Sequence, residues 1–257
     1  MDKANEYLAH AQIRPVGEAA VMVSFGDIVD PDLFYCAQAL SEALEKEPFP
    51  GLREFESSYT GVTIFYDPLV LAQHSSLPED GTLSKGYREA KARLEALLQK
   101  AKINKEGGRP TVRIPVCYGG EFGPDLDYVA EYHHMTPEDV IRIHSGATYL
   151  VYMIGFAPGY PYMGGLPEEI STPRRKTPRL KIPNGTVALA GSQAGVYPLE
   201  TPGGWQLLGR TPLELFHPED EAHPTVLQAG DKVQFYAITL EEYKKIAAEQ
   251  QKEGAGK

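Results

Sequence analysis

Cysteine is nearly absent from this chain of 257 residues: Cys36 and Cys117 are the only two, far apart and with no second thiol beside either. A disulfide framework and a cysteine-rich metal site are therefore excluded, and two reduced, buried thiols are expected. Long apolar runs are lacking as well. The longest apolar-rich stretch, 147–163, is broken by Gly155, Pro158, Gly159 and Pro161, and so falls short of the roughly 20-residue helix that a bilayer requires. Residues 1–14 show neither the basic start nor the continuous apolar segment of a secretory signal, so a cytoplasmic location without membrane contact is expected. Positive charge is in deficit. Lys and Arg number 25 against 35 acids, a net charge of −10, and such a field repels polyanions, which argues against nucleic acid as a partner. Also missing are G-x-x-x-x-G-K-[ST], a post-strand G-x-G-x-x-G and H-E-x-x-H; any nucleotide site is unconventional or on another chain. His133 and His134 are adjacent, a poor spacing for ligands on one helix face, and no metal is expected.

What is present is an ordinary globular composition, 42% hydrophobic and 23% charged, in a chain long enough for two modest cores. Residues 13–25 are spaced for a strand pair turning at Gly17-Glu18. Asp30-Pro31 supplies a helix cap followed by proline in the first turn, and Leu33, Phe34, Ala37, Leu40 and Leu44 continue the helical period. Strands are expected at 52–59 and 62–66, and a second helix opens at Ser84. Charge, paired glycine and proline then replace any period over 104–110. Beyond it, Thr111–Tyr118 resumes as a strand, Thr136-Pro137-Glu138-Asp139 starts a helix, and short strand-like pieces follow at 187–190, 206–208 and 233–238. Thr239 with Glu242 fits a capping box for a terminal helix. The expectation is a two-domain protein: an N-terminal α+β domain over 1–103, a linker at 104–110, and a C-terminal closed or nearly closed β-barrel domain over 111–257.

The chemistry concentrates between Gly155 and Arg210. Gly155 to Gly165 is too punctuated for a regular element and too apolar for a solvated linker, so Phe156, Tyr160 and Tyr162 either wall a pocket or fill an ordered loop. Arg174, Arg175, Lys176, Arg179 and Lys181 place five cations within eight positions of an acidic chain. Prolines hold that stretch extended, and the cluster serves either an anionic ligand or a solvated strand edge. Ser192 lacks the flanking glycines of a nucleophile elbow, whereas Gln193 and Tyr197 are placed to hydrogen-bond a ligand. No catalytic residue is assigned from these patterns.

The same stretch carries a resemblance. Gly155-Phe156-Ala157-Pro158-Gly159-Tyr160, Pro173-Arg174-Arg175 with Pro178-Arg179, Ile182-Pro183, Gln193, Tyr197-Pro198, Pro202-Gly203-Gly204-Trp205 and Gly209-Arg210-Thr211-Pro212 resemble the KipI, or allophanate hydrolase subunit 1, family. That family includes the B subunit of 5-oxoprolinase and part of urea carboxylase, and weaker likeness extends over nearly the whole chain. The resemblance implies a small α+β domain joined to a cyclophilin-like barrel, and a role as the B subunit of an ATP-dependent 5-oxoprolinase that converts 5-oxo-L-proline to L-glutamate with subunits A and C, inactive alone. Because the chain ends soon after the barrel, a separate partner is expected. It further implies that Arg174, Arg175, Arg179 and Lys181 bind anions, with Tyr160 and Gln193 orienting the ring, Tyr197 among the binding residues and Trp205 packing beneath; charge removal at Arg175 or Arg179 is then expected to cost activity and spare folding. Two alternatives stand beside it. One is a KipI-like inhibitor of a sporulation sensor histidine kinase, docking through Phe156, Pro158 and Tyr160; the other is a biotin-dependent carboxyltransferase component.

Overall fold

The computed structural model describes residues 3–76, 78, 83–105 and 111–255, which fall in two compact units, Met1–Gly108 and Arg109–Lys257. The first holds α1 (Lys3–Ala9), β1 (Gln12–Pro15), β2 (Ala20–Ser24), α2 (Pro31–Lys46), β3 (Leu52–Ser57), β4 (Gly61–Tyr66), α3 (Pro68–His74) and α4 (Lys85–Lys100). Its four strands form one antiparallel sheet in the order β1-β2-β4-β3. Inward alternation of Val21, Val23, Val62 and Ile64 meets Leu33, Leu40, Leu44 and Leu94 from the helices, all fully buried. Asp30 caps α2 as its proline signature predicts, accepting from the Asp32 N–H at 2.8 Å. The expected linker, 104–110, lies mostly outside the described residues; Lys105, within it, pairs with Asp32 at 2.7 Å.

The second unit contains β5 (Thr111–Tyr118), α5 (Leu126–Tyr132), α6 (Pro137–Gly146), β6 (Tyr149–Ile154), β7 (Pro161–Gly164), β8 (Arg179–Ile182), β9 (Thr186–Ala190), β10 (Gln193–Tyr197), β11 (Thr201–Gly203), β12 (Gln206–Arg210), β13 (Lys232–Ala237) and α7 (Leu240–Ala255). Seven strands close a barrel in the order β10-β7-β6-β13-β5-β12-β9, while β8 and β11 pair as a separate ribbon. The barrel is antiparallel except where β13 runs parallel to β5. Both expected cap signatures form: Thr136 with Asp139 at α6, and Thr239 with Glu242 at α7. No helix of the described residues is long and apolar enough to cross a membrane.

Strand alternation sets the position of the site. Along β9, Val187 and Leu189 enter the barrel core, whereas Ala188 and Ala190 face an aromatic cluster of Tyr160, Tyr197 and Trp205 on the other side. Every β9 residue is consequently buried, which explains its near-continuous apolar sequence.

Inside the barrel core His144 is completely buried. Its Nδ1 lies 2.8 Å from the Tyr118 hydroxyl, its ring stacks on Phe235, and Nε2 has no hydrogen-bond partner among the described residues. Burial pushes its pKa down to about 3 from 6.5. Above pH 6.5 the folded and unfolded chains are both neutral at this group. As pH falls from 6.5 toward 3 the unfolded chain takes up a proton that the folded chain refuses, and stability declines by about 1.4 kcal/mol per pH unit from this histidine. Urea unfolding at pH 7 and pH 5 checks it: His144→Gln, which keeps an acceptor for Tyr118 and does not titrate, should lose that share of the pH dependence. An unchanged pH profile would rule the assignment out.

Candidate functional site

The five-cation stretch leaves the core at Thr172 and is fixed at several points. Gly191 N–H donates to the Thr172 carbonyl at 2.7 Å, the Gln206 amide donates to the Pro173 carbonyl at 2.9 Å, and Arg175 N–H donates to the Gly204 carbonyl at 2.8 Å. Its far end becomes β8, held against β11 with Arg179 opposite Gly203. Anchors on both sides of Arg174 thus fix where that residue leaves the chain.

Two of the arginines converge on one buried acid. Asp125, 3% exposed, accepts from Arg175 Nη1 and Arg179 Nη2 on Oδ1, and from Arg179 Nη1 and the Leu207 N–H on Oδ2, all at 2.8 Å. This is a saturated carboxylate, with one guanidinium bound in a fork. Arg175 and Arg179 are expected to bind an anion and to be dispensable for folding; both hold a carboxylate that has left water, while Arg175 also lines the cleft. Lys181 pairs at the surface with Glu200 at 2.9 Å and, like Arg179 and Gln193, is not among the residues lining the cleft described next. Gln193 instead opens β10 opposite Ala190. His133 Nε2 meets Thr172 Oγ1 at 3.0 Å, and no group of three or more acids, histidines or cysteines among the described residues is arranged to hold a metal.

The cleft, about 560 Å³, opens between the 155–160 loop, the basic stretch and β11. Tyr160 is its hub. Only 1% exposed, it makes edge contacts with Phe156, Tyr162, Tyr197 and Trp205 at centroid distances of 5.6, 4.9, 5.1 and 5.9 Å. So buried a ring is no surface anchor for a partner, which corrects the docking role given to Tyr160; Phe156 and Pro158 are exposed. Burial, then the neighbouring Tyr162, raise the Tyr197 hydroxyl to about 12, so it stays protonated at neutral pH. Arg174 lies over the Trp205 ring at 5.9 Å and makes no ion pair among the described residues. Larger or similar grooves line α4 in the first unit, but most of their charged residues are in ion pairs: Lys91–Glu95, Lys46–Glu42 and Lys100–Glu47. Flat apolar walls beside one uncompensated guanidinium make the barrel cleft suited to a small ligand with an apolar ring and an anionic group. Nothing in the sequence marks Asp125, whose partners lie 50 and 54 residues away; its only local cue is an acid following Gly123-Pro124.

The family described as "Carboxyltransferase domain, subdomain C and D" matches residues 11–227. A Bacillus subtilis protein, named as the B subunit of 5-oxoprolinase, is 44% identical over 232 residues, covering 90% of this chain and 95% of that one. The Haemophilus influenzae protein of the same name is 52% identical over 149 residues, 58% of this chain and 69% of that one. Among solved structures, TTHA0988 shares 32% identity with a TM-score of 0.71 over 88% of this chain; the chain spans 41% of that longer protein. This chain belongs to the carboxyltransferase subdomain C and D family and, within it, to the group of 5-oxoprolinase B subunits.

Proposed function

We propose that this chain is the B subunit of an ATP-dependent 5-oxoprolinase, acting with subunits A and C and inactive alone. The observation that carries the reading to a site is Arg174, a guanidinium without a carboxylate partner among the described residues, over a cleft of flat rings. 5-Oxoproline presents a compact ring and one carboxylate, the two features that such a cleft recognises. Identity of 44% across 95% of the Bacillus subtilis protein supports the assignment, and the longer chain of TTHA0988 supports a polypeptide that works beside others. In this reading residues 1–103 and 111–257 act as two domains, the second a cyclophilin-like barrel. ATP is assigned to the assembled complex, because the cleft offers a single uncommitted arginine against a triphosphate.

The test is ATP-dependent glutamate formation from 5-oxoproline by subunits A and C with and without this chain. Loss of turnover on omission supports the reading; full turnover without it removes it. Within the complete enzyme, Arg174→Ala should raise KM for 5-oxoproline about 10- to 100-fold, the worth of a charge-assisted hydrogen bond. The melting temperature of this exposed position should hardly move. A KM equal to wild type would separate Arg174 from substrate binding.

A further inference from the structure

The cleft's rim contains one backbone outlier at an aromatic residue. Phe156 has φ +66°, the left-handed region that bulky side chains rarely occupy. Ala157 N–H donates to the Gly155 carbonyl at 2.8 Å, closing a three-residue turn centred on Phe156, the strained, positive-φ form of the γ-turn. The loop is locked around it, with Tyr160 N–H on the Ala157 carbonyl and Gly155 N–H on the Tyr160 carbonyl, both 3.0 Å. Glycine adopts such a turn without steric cost. Phe156 stands there instead, and its side chain is not used to fill the core: the residue is 63% exposed, touching Tyr160 edge-on at 80°. Strained backbone and an exposed large apolar ring therefore coincide at one position on the cleft, and neither is offset by burial. Strain of this kind persists at ligand clamps, where the held geometry is what function needs.

We propose that Phe156 is the specificity-determining residue of the cleft: the strained turn holds its ring over the mouth, where it caps the flat face of a small cyclic amide whose carboxylate is taken by Arg174. The inference rests on the cleft being the 5-oxoproline site and adds to it the class of substrate selected. A closed ring offers a flat face to the cap; the open chain of glutamate, with the same α-carboxylate, does not, so the cap favours substrate over product.

The experiment uses the three-subunit enzyme with Phe156→Ala, Phe156→Gly and Phe156→Tyr. Turnover that is undiminished when this chain is omitted defeats the underlying reading, and the cap with it, before any variant is compared. Where turnover depends on the chain, Phe156→Ala and Phe156→Gly should each raise KM for 5-oxoproline about five- to tenfold, as loss of a ring contact implies, with the change on KM rather than kcat. Phe156→Tyr should recover most of that loss. Phe156→Gly should melt above Phe156→Ala, the reverse of their usual order, because only a left-handed backbone favours glycine. Wild-type KM in both ring-less variants overturns the proposal. A defect that appears instead as failure of the three chains to co-elute also overturns it, by making Phe156 a docking residue.

Discussion

Asp125→Ala should destabilise the barrel unit by about 3 kcal/mol, the lower end of the range for breaking a buried ion pair, and lower its melting temperature by roughly 10 °C. The substitution leaves two guanidiniums without their carboxylate and the Leu207 N–H without its acceptor, all of which Asp125 satisfies at 2.8 Å. The low end applies because the Arg175 and Arg179 side chains keep 36% and 24% of their surface in water, while that of Asp125 keeps 5%. Asp125→Asn should be milder, since its amide oxygen still accepts from Leu207. The surface pair Lys181–Glu200, with side chains 77% and 56% exposed, is the internal contrast: Glu200→Ala should change stability by no more than about 0.5 kcal/mol. Thermal and urea unfolding of the three variants tests the ranking; an Asp125→Ala loss no greater than that of Glu200→Ala would show that the buried cluster is not a stabilising clamp. Function enters through Arg174. Residue 175, next to it, is held by the same acid, so loosening the cluster should also blur the position of the uncommitted guanidinium.

How far the sequence announces this arrangement depends on the range of the interactions. Helices α2 and α6 are legible because cap, proline and period lie within a few residues of each other. Asp67-Pro68 carries the same signature, and Asp67 does cap α3 with two N–H bonds; at seven residues, that helix is too short to show a period. Helix α5 fails for a different reason. Asp125 occupies its cap position, yet makes no side-chain cap bond, since its carboxylate is engaged by arginines far along the chain. The same distance hides the parallel pairing of β13 with β5, where Lys232 meets Thr111. Composition locates the basic stretch and the aromatic loop correctly as one neighbourhood. It cannot say which cations are already neutralised, because that depends on an acid outside the stretch, and so among the described residues Arg174 alone of the expected anion-binding cations is both at the cleft and without an ion pair.

Gly195→Ala should cost about 1–3 kcal/mol through overpacking, and it should deform the cleft. A Cβ at Gly195 would lie 2.8 Å from the Tyr160 ring carbon that bears the hydroxyl and 3.1 Å from Trp205, with the hydroxyl oxygen nearer still. The backbone there is not in the left-handed region, so the penalty is steric alone. Tyr160 cannot yield without moving four aromatic neighbours and its hydroxyl bond to Tyr197. A double-mutant cycle makes the mechanism explicit. Tyr160→Phe in the native background removes a hydrogen bond and should destabilise by about 1 kcal/mol. In the Gly195→Ala background the same change deletes the atom nearest the new methyl group and should restore stability, reversing its sign. Urea unfolding of the four proteins measures the coupling directly. Additive effects would mean that the glycine is not there to make room for Tyr160, and the tight seat that fixes the cleft's central ring would need another cause.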